Sequence, residues 1–541
     1  MRAALHRWLD RNLLSLAREM RWSYLPPLMV YVAAGVSGLT GIVGTFFIKE
    51  YLDLSAAFLA AIGFWAGIPW ALKMPMGHLV DLIWRYKEGL VFVGAGLIAT
   101  SLLIMIGLIG HPTEMRAFMA PAHWYVLAAL LAPVGYMMQD TVADAMTVEA
   151  VPRVDEHGTA LDPAARRLMN TTMQTLGRVA IIGGGVLVSA ANVVMFAGAE
   201  SLPQAEKAAI YLDVYHYALV IPLISVAGVC LALVMRGRRR AQLAAQGFSG
   251  PELATMLGGR QEKTTPNWAI LGGSLAFVVV TLVTGLSSLS YAQEIIFVGS
   301  LSIIGFLMSR LLRELDDDAR RTLLGTAIVI FVFRAVPGTG AGSTWWMIDE
   351  LGFDQSFLAR LSLIASALTL LGLFAFRRLM AERSIAYIVG LLTFAGFLLG
   401  LPTLGMYYGL HEWTAALTGG IVDARFIALI DTALESPLGQ ISMVPLLAWI
   451  ANSAPGHLKA TYFAVMASFT NLALSASQLG TRYLNELFVI TREMRDPVTH
   501  AISTPADYSR LGDLLIVVLL LNLLLPFGAI LVTRVLGLRS A

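Results

Sequence analysis

Three acids in an otherwise apolar stretch are the first residues of this sequence suited to chemistry. The segment GYMMQDTVADAMTVEA, residues 135–150, places Asp140, Asp144 and Glu149 at the end of an apolar run. A charged carboxylate at the centre of a bilayer costs on the order of a few kcal/mol when it has no partner. Because Asp140 and Asp144 are four residues apart, they share one face of a helix. We expect this face to point toward the protein interior, water or a cation.

The next apolar run supplies a partner for these acids. Counted from Arg167, Gln174 lies about 10 Å and Arg178 about 17 Å into the membrane, at a rise of about 1.5 Å per residue. One interpretation is a buried ion pair of Asp140 and Arg178 that fixes helix packing. The other is that Asp140 or Asp144 takes part in proton coupling or substrate binding.

A later run carries a second arginine beside a predicted helix break. Arg334 lies about 18 Å from the inner end of its helix, near the membrane midplane. The residues that break the helix after it are Pro337, Gly338, Gly340 and Gly342. Broken helices beside a binding site are common in transporters. Trp345 and Trp346 either stack on a planar ring or anchor the outer membrane interface.

Further polar candidates lie toward the end of the chain. Asp431 and Glu435 share one helical face, and Gln440 lies at a break after them. The expected partners of these two acids are Arg425, Arg334 or a substrate. Asn471 faces the interior by helical spacing.

Composition indicates what kind of helices these are. The chain has 541 residues, of which 57% are apolar and only 14% charged, whereas a soluble domain carries about 25% charged residues. A spanning helix needs about 20 apolar residues, and fourteen candidates are found. They are 26–48, 54–73, 88–110, 123–148, 167–193, 211–235, 268–288, 291–312, 322–347, 356–377, 384–409, 423–451, 458–488 and 511–535. We therefore predict an all-α polytopic membrane protein.

The placement of basic residues predicts the orientation. With both termini inside, 27 of the 38 Lys and Arg residues fall in inner segments and six in outer segments. This bias is typical of membrane proteins. The arginine-rich composition indicates a bacterial source and hence the cytoplasmic (inner) membrane.

The span order predicts five regions. They are a basic segment 1–25, a six-helix bundle 26–236, a cytoplasmic loop 237–267, an inserted helical hairpin 268–315 and a second six-helix bundle 316–541. The segment 1–25 is either an amphipathic surface helix or a disordered tail. Two six-helix halves with a central pair are a plan used by transporters.

The loop between spans two and three carries a signature. Its sequence PWALKMPMGHLVDLIWRYKEG resembles the loop motif of the major facilitator superfamily. The resemblance implies a conformational latch at the inner ends of the helices, formed by Lys73, Gly77, Asp81 and Arg85. The alternative is a charged loop whose side chains extend to the interface.

Four longer stretches resemble a narrower family within that superfamily, the folate–biopterin transporters. They begin GLTGIVGTFFIKEY, QDTVADAMTVEA, RAVPGTGAGSTWW and DTALESPLGQIS, and they occur in the family's order. Arg178, Arg334 and the inserted helix pair depart from the family pattern.

The resemblance implies a major-facilitator fold and a secondary carrier that moves folate- or pterin-like organic anions by alternating access with protons. In such a site Asp140 or Asp431 would bind the ring and Arg178 or Arg334 the tail carboxylates. The alternatives are a carrier of another amphipathic organic anion and a non-transporting membrane assembly factor. No enzyme activity, cofactor, metal or nucleic acid is expected, and we expect a monomer in the lipid bilayer.

Overall fold

The computed structural model of the protein is helical along most of its length. It describes residues 20–540, except for 53, 72, 152–161, 200–201, nearly all of 249–290, 314, 377–378, 380–382, 440–458 and 496–501. Most of the predicted N-terminal segment 1–25, much of the predicted loop 237–267 and the first inserted span 268–288 therefore lie outside the described residues.

The described residues before the insertion form ten α-helices. They are α1 Leu25–Val36, α2 Gly41–Tyr51, α3 Ala56–Ala71, α4 Lys73–Leu82, α5 Glu88–Gly110, α6 Pro112–Phe118, α7 Pro121–Ala150, α8 Pro163–Met195, α9 Gln204–Ala218 and α10 Val220–Ala245. A short 3-10 turn, Ser37–Thr40, joins α1 to α2, and together they form one long apolar span.

The described residues from the insertion onward form nine more. They are α11 Ala292–Leu312, α12 Asp317–Arg334, α13 Ala341–Asp349, α14 Gln355–Ala375, α15 Ile385–Tyr407, α16 Leu410–Thr418, α17 Ala424–Glu435, α18 Lys459–Leu487 and α19 Leu511–Val535. Between α18 and α19 two short strands pair antiparallel, β1 Met494–Arg495 with β2 Ile502–Thr504.

Nine helical segments of the described residues are long and apolar enough to cross a membrane. They are Trp22–Lys49, Ala56–Val80, Glu88–Gly110, Pro121–Thr147, Thr175–Met195, Glu206–Ala245, Gln355–Ala375, Ile385–Tyr407 and Leu511–Val535. The predicted class is therefore confirmed, while the count of fourteen is not. Four further predicted spans differ in the structure. The span 291–312 contains only a shorter apolar helical stretch, Ala292–Phe306, and 322–347 is divided into α12 and α13. The span 423–451 is described only in its first part, and α18, in the predicted span 458–488, is helical but more polar.

The predicted break after Arg334 is present, and α18 stabilises it. Ser477 Oγ donates to Val336 O at 2.7 Å, and Gly338 N donates to Thr481 Oγ1 at 2.8 Å. These bonds satisfy backbone groups that a broken helix would otherwise leave unpaired in an apolar medium. Gly340 adopts a φ of 72°, a left-handed conformation that favours glycine.

Both tryptophans after the break are buried, which corrects the prediction of an interfacial anchor. Trp345 is 1% and Trp346 4% exposed. They pack in an apolar cluster with Phe353, Leu511 and Leu514. Their faces therefore contact protein, and neither is placed to stack on a ligand.

A glycine pair brings α1 and α8 into contact. A Cβ on Gly35 would lie 2.2 Å from the backbone oxygen of Ile181, and one on Gly184 would lie 2.8 Å from the Gly35 Cα. Small residues allow this close approach of helix backbones in membranes. The crossing matters because α1 and α8 carry residues of the candidate site.

The second inserted helix, α11, lies across the boundary between the two halves. Its Gln293 is 6% exposed, accepts from Arg482 Nη1 on α18 at 3.1 Å and donates to Ala61 O on α3 at 3.3 Å. Ile296 is fully buried against Phe64 of α3. Arg482 also pairs with Glu486 one helical turn later, with Nε 2.7 Å from Glu486 Oε1.

At the end of the bundle predicted to lie outside, charged contacts join helices of the first predicted bundle to helices of the second. Lys49 Nζ at the end of α2 lies 2.5 Å from Asp349 Oδ1 at the end of α13. The Tyr508 hydroxyl donates to the other oxygen of Asp349. Burial, and then this hydrogen bond, raise the pKa of Tyr508 well above its usual range, so the hydroxyl stays a donor.

Arg492 adds a second contact between the halves at the same end. Its Nε donates to Lys49 O at 2.8 Å and its Nη1 to Leu54 O at 2.7 Å, while Nη2 donates to Leu52 O. The guanidinium lies 4.5 Å from the ring centre of Trp345. Arg492 thus binds the carbonyls at the C-terminal end of α2, where a cation is favoured by the helix dipole.

Replacement of Gly35 by valine is expected to destabilise the protein. The added side chain would meet the backbone of α8, which cannot move aside as a side chain can, and overpacking of this kind costs about 1–3 kcal/mol or more. The melting temperature in detergent measures the effect. Gly44→Ala is the matched control, because no atom lies within 4 Å of its added Cβ. An equal effect of the two variants would contradict the close crossing.

Charge reversal at Lys49 is expected to favour the outer-open state. Lys49→Asp places two carboxylates together, and a shift of roughly tenfold corresponds to about 1.4 kcal/mol. Spin labels at Phe58 and Leu487, both exposed, would report the separation of α3 and α18 in a Cys230→Ser background.

The double variant Lys49→Asp with Asp349→Lys is expected to restore the short distance. Arg116→Asp, an exposed reversal on the same predicted side, is the control. An unchanged distance in Lys49→Asp would refute this role of the pair.

Candidate functional site

The acids on α7 share a lysine cation from α4. Lys73 Nζ lies 2.5 Å from Asp140 Oδ2 and 2.7 Å from Asp144 Oδ2. The Lys73 and Asp140 side chains are 20% and 18% exposed, whereas that of Asp144 is 42% exposed. Two carboxylates from successive turns of one helix therefore hold one ammonium group. We call Lys73, Asp140 and Asp144 the carboxylate–lysine cluster.

This contact corrects the sequence prediction for Lys73. The sequence placed the end of span two at residue 73 and assigned Lys73 to an inner latch. In the structure the span continues to Val80, so Lys73 lies seven residues, or about 10 Å, inside that end. A proline and a glycine after Lys73, Pro75 and Gly77, suggested a loop, but the chain stays helical through α4.

A tyrosine from α1 completes the contacts of Asp144. The Tyr31 hydroxyl donates to Asp144 Oδ1 at 2.7 Å, and Tyr31 is 5% exposed. Its ring lies against Gly177 of α8, where a Cβ would come within 2.9 Å of the ring. Tyr31 was missed at the sequence level. The sequence feature that could have identified Tyr31 is its position one helical turn before Gly35, the residue at which α1 contacts α8.

Arg178 lies within electrostatic range of this cluster. Its charge acts on Asp140 and on Tyr31, but the cation in contact with Asp140 is Lys73. The predicted direct pair of Asp140 and Arg178 is therefore replaced by the pair with Lys73. The physical reason is the length of the second span. Because α4 continues past the depth of Asp140, the Lys73 ammonium lies directly beside that carboxylate.

Arg178 and Arg334 approach each other from the two halves. The two positive charges are close enough to repel one another.

The other predicted latch residues lie toward one end of the bundle. Gly77 is within α4, the Asp81 side chain lies outside the described part, and Arg85 is exposed. A different charged group is buried there. Lys87 is 0% exposed and lies 2.7 Å from Glu149.

Arg236 joins this second group from α10. Its Nη2 lies 2.7 Å from Glu88 Oε1 and 3.1 Å from Glu149 Oε2. The four side chains link the ends of α5, α7 and α10, all in the first half. The sequence analysis singled out Glu149 but did not predict Arg236 as its partner, because the two residues are far apart in the sequence.

The structure agrees only in part with the predicted surroundings of Asp431 and Glu435, the two acids of the second predicted bundle. Asp431 Oδ1 is buried and accepts no hydrogen bond from the described residues, whereas Glu435 is exposed. Arg425, one of their expected partners, instead binds Asp354 at 2.8 Å near the start of α14. The reason is that Arg425 lies at the first turn of α17, nearly two turns from Asp431.

One asparagine and two glutamines remain among the predicted site residues. Asn471 Nδ2 donates to Trp70 O on α3 at 3.2 Å, so it joins the halves rather than lining a cavity alone. The Gln174 side chain and all of Gln440 lie outside the described residues.

Comparisons with known proteins agree with this architecture. Residues 319–537 match the family model for the BT1 family. A folate–biopterin transporter of Synechocystis sp. is 23% identical over 527 residues, which cover 97% of this chain and 84% of the relative.

Solved structures of carriers share the fold. A POT-family transporter in complex with 5-aminolevulinic acid superposes with a TM-score of 0.56 at 11% identity, covering 95% of this chain and 94% of that one. The nucleoside transporter NupG gives a TM-score of 0.53 at 11% identity, covering 94% and 98%. Together these comparisons indicate a membrane carrier and not an enzyme. Residues 319–537 therefore resemble the BT1 family, and the resemblance of the chain to the folate–biopterin transporters is confirmed.

Proposed function

We propose that the protein moves folate- or pterin-like organic anions across the membrane by alternating access, coupled to protons. The observation that carries this proposal is the carboxylate–lysine cluster within the membrane-spanning helices, where Lys73 contacts Asp140 and Asp144. The curated relative is named as a folate–biopterin transporter. The proposal places the protein in the inner membrane with both termini cytoplasmic.

An anion is the ligand that Arg178 and Arg334 would take. Arginine stays charged at any physiological pH and binds carboxylates through two parallel hydrogen bonds. A substrate carboxylate near both guanidinium groups would relieve their mutual repulsion. Since the arginines belong to different halves, the anion would also bind the halves together at mid-depth, which is what a carrier site requires.

A pterin ring would need an acceptor in addition. Its ring edge offers adjacent N–H donors, which a carboxylate accepts in a bidentate way. Asp140 is already bound to Lys73, whereas Asp431 has a buried oxygen without a hydrogen bond among the described residues. Of the two acids predicted for the ring, Asp431 is therefore the better candidate.

The contacts between the two proposed halves support a mechanism of alternating access. The proposed halves are 26–236 and 316–541. Contacts of Lys49 with Asp349 and of Arg492 with α2 hold them together at the predicted outer end. Transport would require these contacts to break while the anion stays bound between Arg178 and Arg334.

A second candidate function is the transport of another amphipathic organic anion. It is favoured by the two arginines, because they stand where the family pattern has neutral residues. A stability screen of the purified protein with folates, pterins and other dicarboxylates separates the two functions. A non-transporting assembly factor would be stabilised by none of them and would give no uptake.

Arg334→Gln is expected to reduce folate uptake into proteoliposomes by about tenfold or more. Loss of a charged hydrogen bond to an anion costs roughly 1.5–3 kcal/mol. The measurement is initial uptake of labelled folate with and without an inward-directed proton gradient, together with the melting temperature of each variant.

Arg116→Gln is the matched control for this variant. Arg116 is exposed at the short helix α6, so its neutralisation should leave uptake unchanged. Wild-type uptake by folded Arg334→Gln would remove Arg334 from the site.

A further inference from the structure

We infer that the inserted helix α11 is a strap that restrains opening of the predicted outer end, because it is fixed along α18 and crosses from there onto α3. The inference rests on the proposed alternating-access cycle and gives the insertion a role in that cycle. Helix α18 lies in the second predicted bundle and α3 in the first. A helix attached to both must therefore lose one attachment when the bundles separate.

Polar contacts fix the start of α11 to the outer end of α18. Arg482 Nη1 donates to Gln293 Oε1 at 3.1 Å and lies 3.7 Å from Glu294 Oε1. The Tyr483 hydroxyl donates to the same oxygen of Glu294. Two neighbouring residues of α18 thus hold two neighbouring residues of α11.

Apolar contacts continue this attachment toward the inner end. Ile304 of α11 packs with Leu472 of α18, and both side chains are buried. Further along α11, Met308 shares a buried cluster with Met466 of α18 and Leu323 of α12. Because α11 packs on the second bundle over most of its length, we expect it to move with that bundle.

The described contacts of α11 with α3 lie at the outer end of both helices. Gln293 Nε2 donates to Ala61 O at 3.3 Å, and Ile296 is fully buried in a cluster with Phe64 and Ile68. Gln293 is only 6% exposed, and its amide uses its oxygen on α18 and its nitrogen on α3. One buried side chain thus bridges the two predicted bundles.

Beside α11, α3 and α18 are in direct contact. A Cβ on Gly63 of α3 would lie 2.7 Å from Gln478 Oε1, and one on Gly67 would lie 2.8 Å from Ser475 Oγ. Opening of the outer end would move α3 away from α18 and from the strap. The amide nitrogen of Gln293 would then lose its acceptor in an apolar medium, which is unfavourable.

Replacement of Gln293 by leucine is expected to increase the ratio of outer-open to outer-closed protein by roughly two- to tenfold, the effect of one net hydrogen bond. Leucine keeps the apolar packing but forms no bridge. The measurement is the distance between spin labels at Arg116 and Glu412 in a Cys230→Ser background. Both positions are exposed, one on α6 and the other on α16, at the predicted outer side of different bundles.

Ser302→Leu is the matched control on the same helix. Ser302 is exposed and donates to Val298 O of its own helix at 2.7 Å, so leucine at this position should leave the spin-label distances unchanged. Distances in Gln293→Leu equal to those of the parent protein would overturn the strap.

Crosslinking distinguishes a strap from a helix that merely packs at the surface. A short, cleavable thiol crosslinker between Ala61→Cys and Gln293→Cys ties α11 to α3 and should abolish folate uptake into proteoliposomes until it is cleaved. The matched crosslink, between Ile304→Cys and Leu472→Cys, ties α11 to α18 and should leave uptake unchanged, because these two helices move together. Each variant is compared with itself before crosslinking, so a folding defect cannot mimic the result.

Uptake that survives the first crosslink, or that is lost with the second, would overturn the strap and leave the carrier function standing. Absence of folate uptake by the wild-type protein at every pH would instead overturn the folate carrier function. The spin-label distances need no substrate, so in that event they decide by themselves whether α11 restrains the outer end.

Discussion

An ionised side chain inside a membrane needs a counter-charge, and the interior of this protein is arranged around that need. Asp140 and Asp144 are tolerated within α7 because Lys73 lies between them. Lys73 reaches this depth because α4 continues the second span to Val80. The close contact of Gly35 with α8 then brings Tyr31 and Arg178 to the same place. Backbone packing and charge pairing thus depend on each other.

This need for counter-charges is met differently at the two ends of the bundle. At one end Lys87, Glu88, Glu149 and Arg236 satisfy one another within the first half. At the other end Lys49 and Asp349 belong to different halves, and Arg492 of the second half binds carbonyls of the first. Charges that pair within a half can move with it as a rigid unit. In the proposed alternating-access cycle, charges that pair across the predicted halves would have to separate, so the contacts at Lys49 and Arg492 would resist opening.

The class of fold and the depths of the charged residues were easier to predict from the sequence than the residues with which those charges pair. Periodicity and the positive-inside bias depend on local composition, so the helices around Asp140, Arg178 and Arg334 could be placed from the sequence. Pairing depends on where each helix ends and how close its neighbour comes. The helix through Lys73 was ended too early because Pro75 and Gly77 usually mark a turn, although neighbouring helices allow proline and glycine within membrane helices. Tyr31 and Arg236 were missed for the related reason that long-range contacts leave no local pattern.

Lysine and arginine are suited to different roles in the candidate site because their side chains differ chemically. A guanidinium group stays protonated under all physiological conditions, so it neither takes up nor releases a proton. Its planar donors instead suit a carboxylate that arrives and leaves. An ammonium group is a compact point charge that two carboxylates can share, as Asp140 and Asp144 share Lys73. The only groups left to take up a proton at this place are therefore the carboxylates, among the residues that the structure describes.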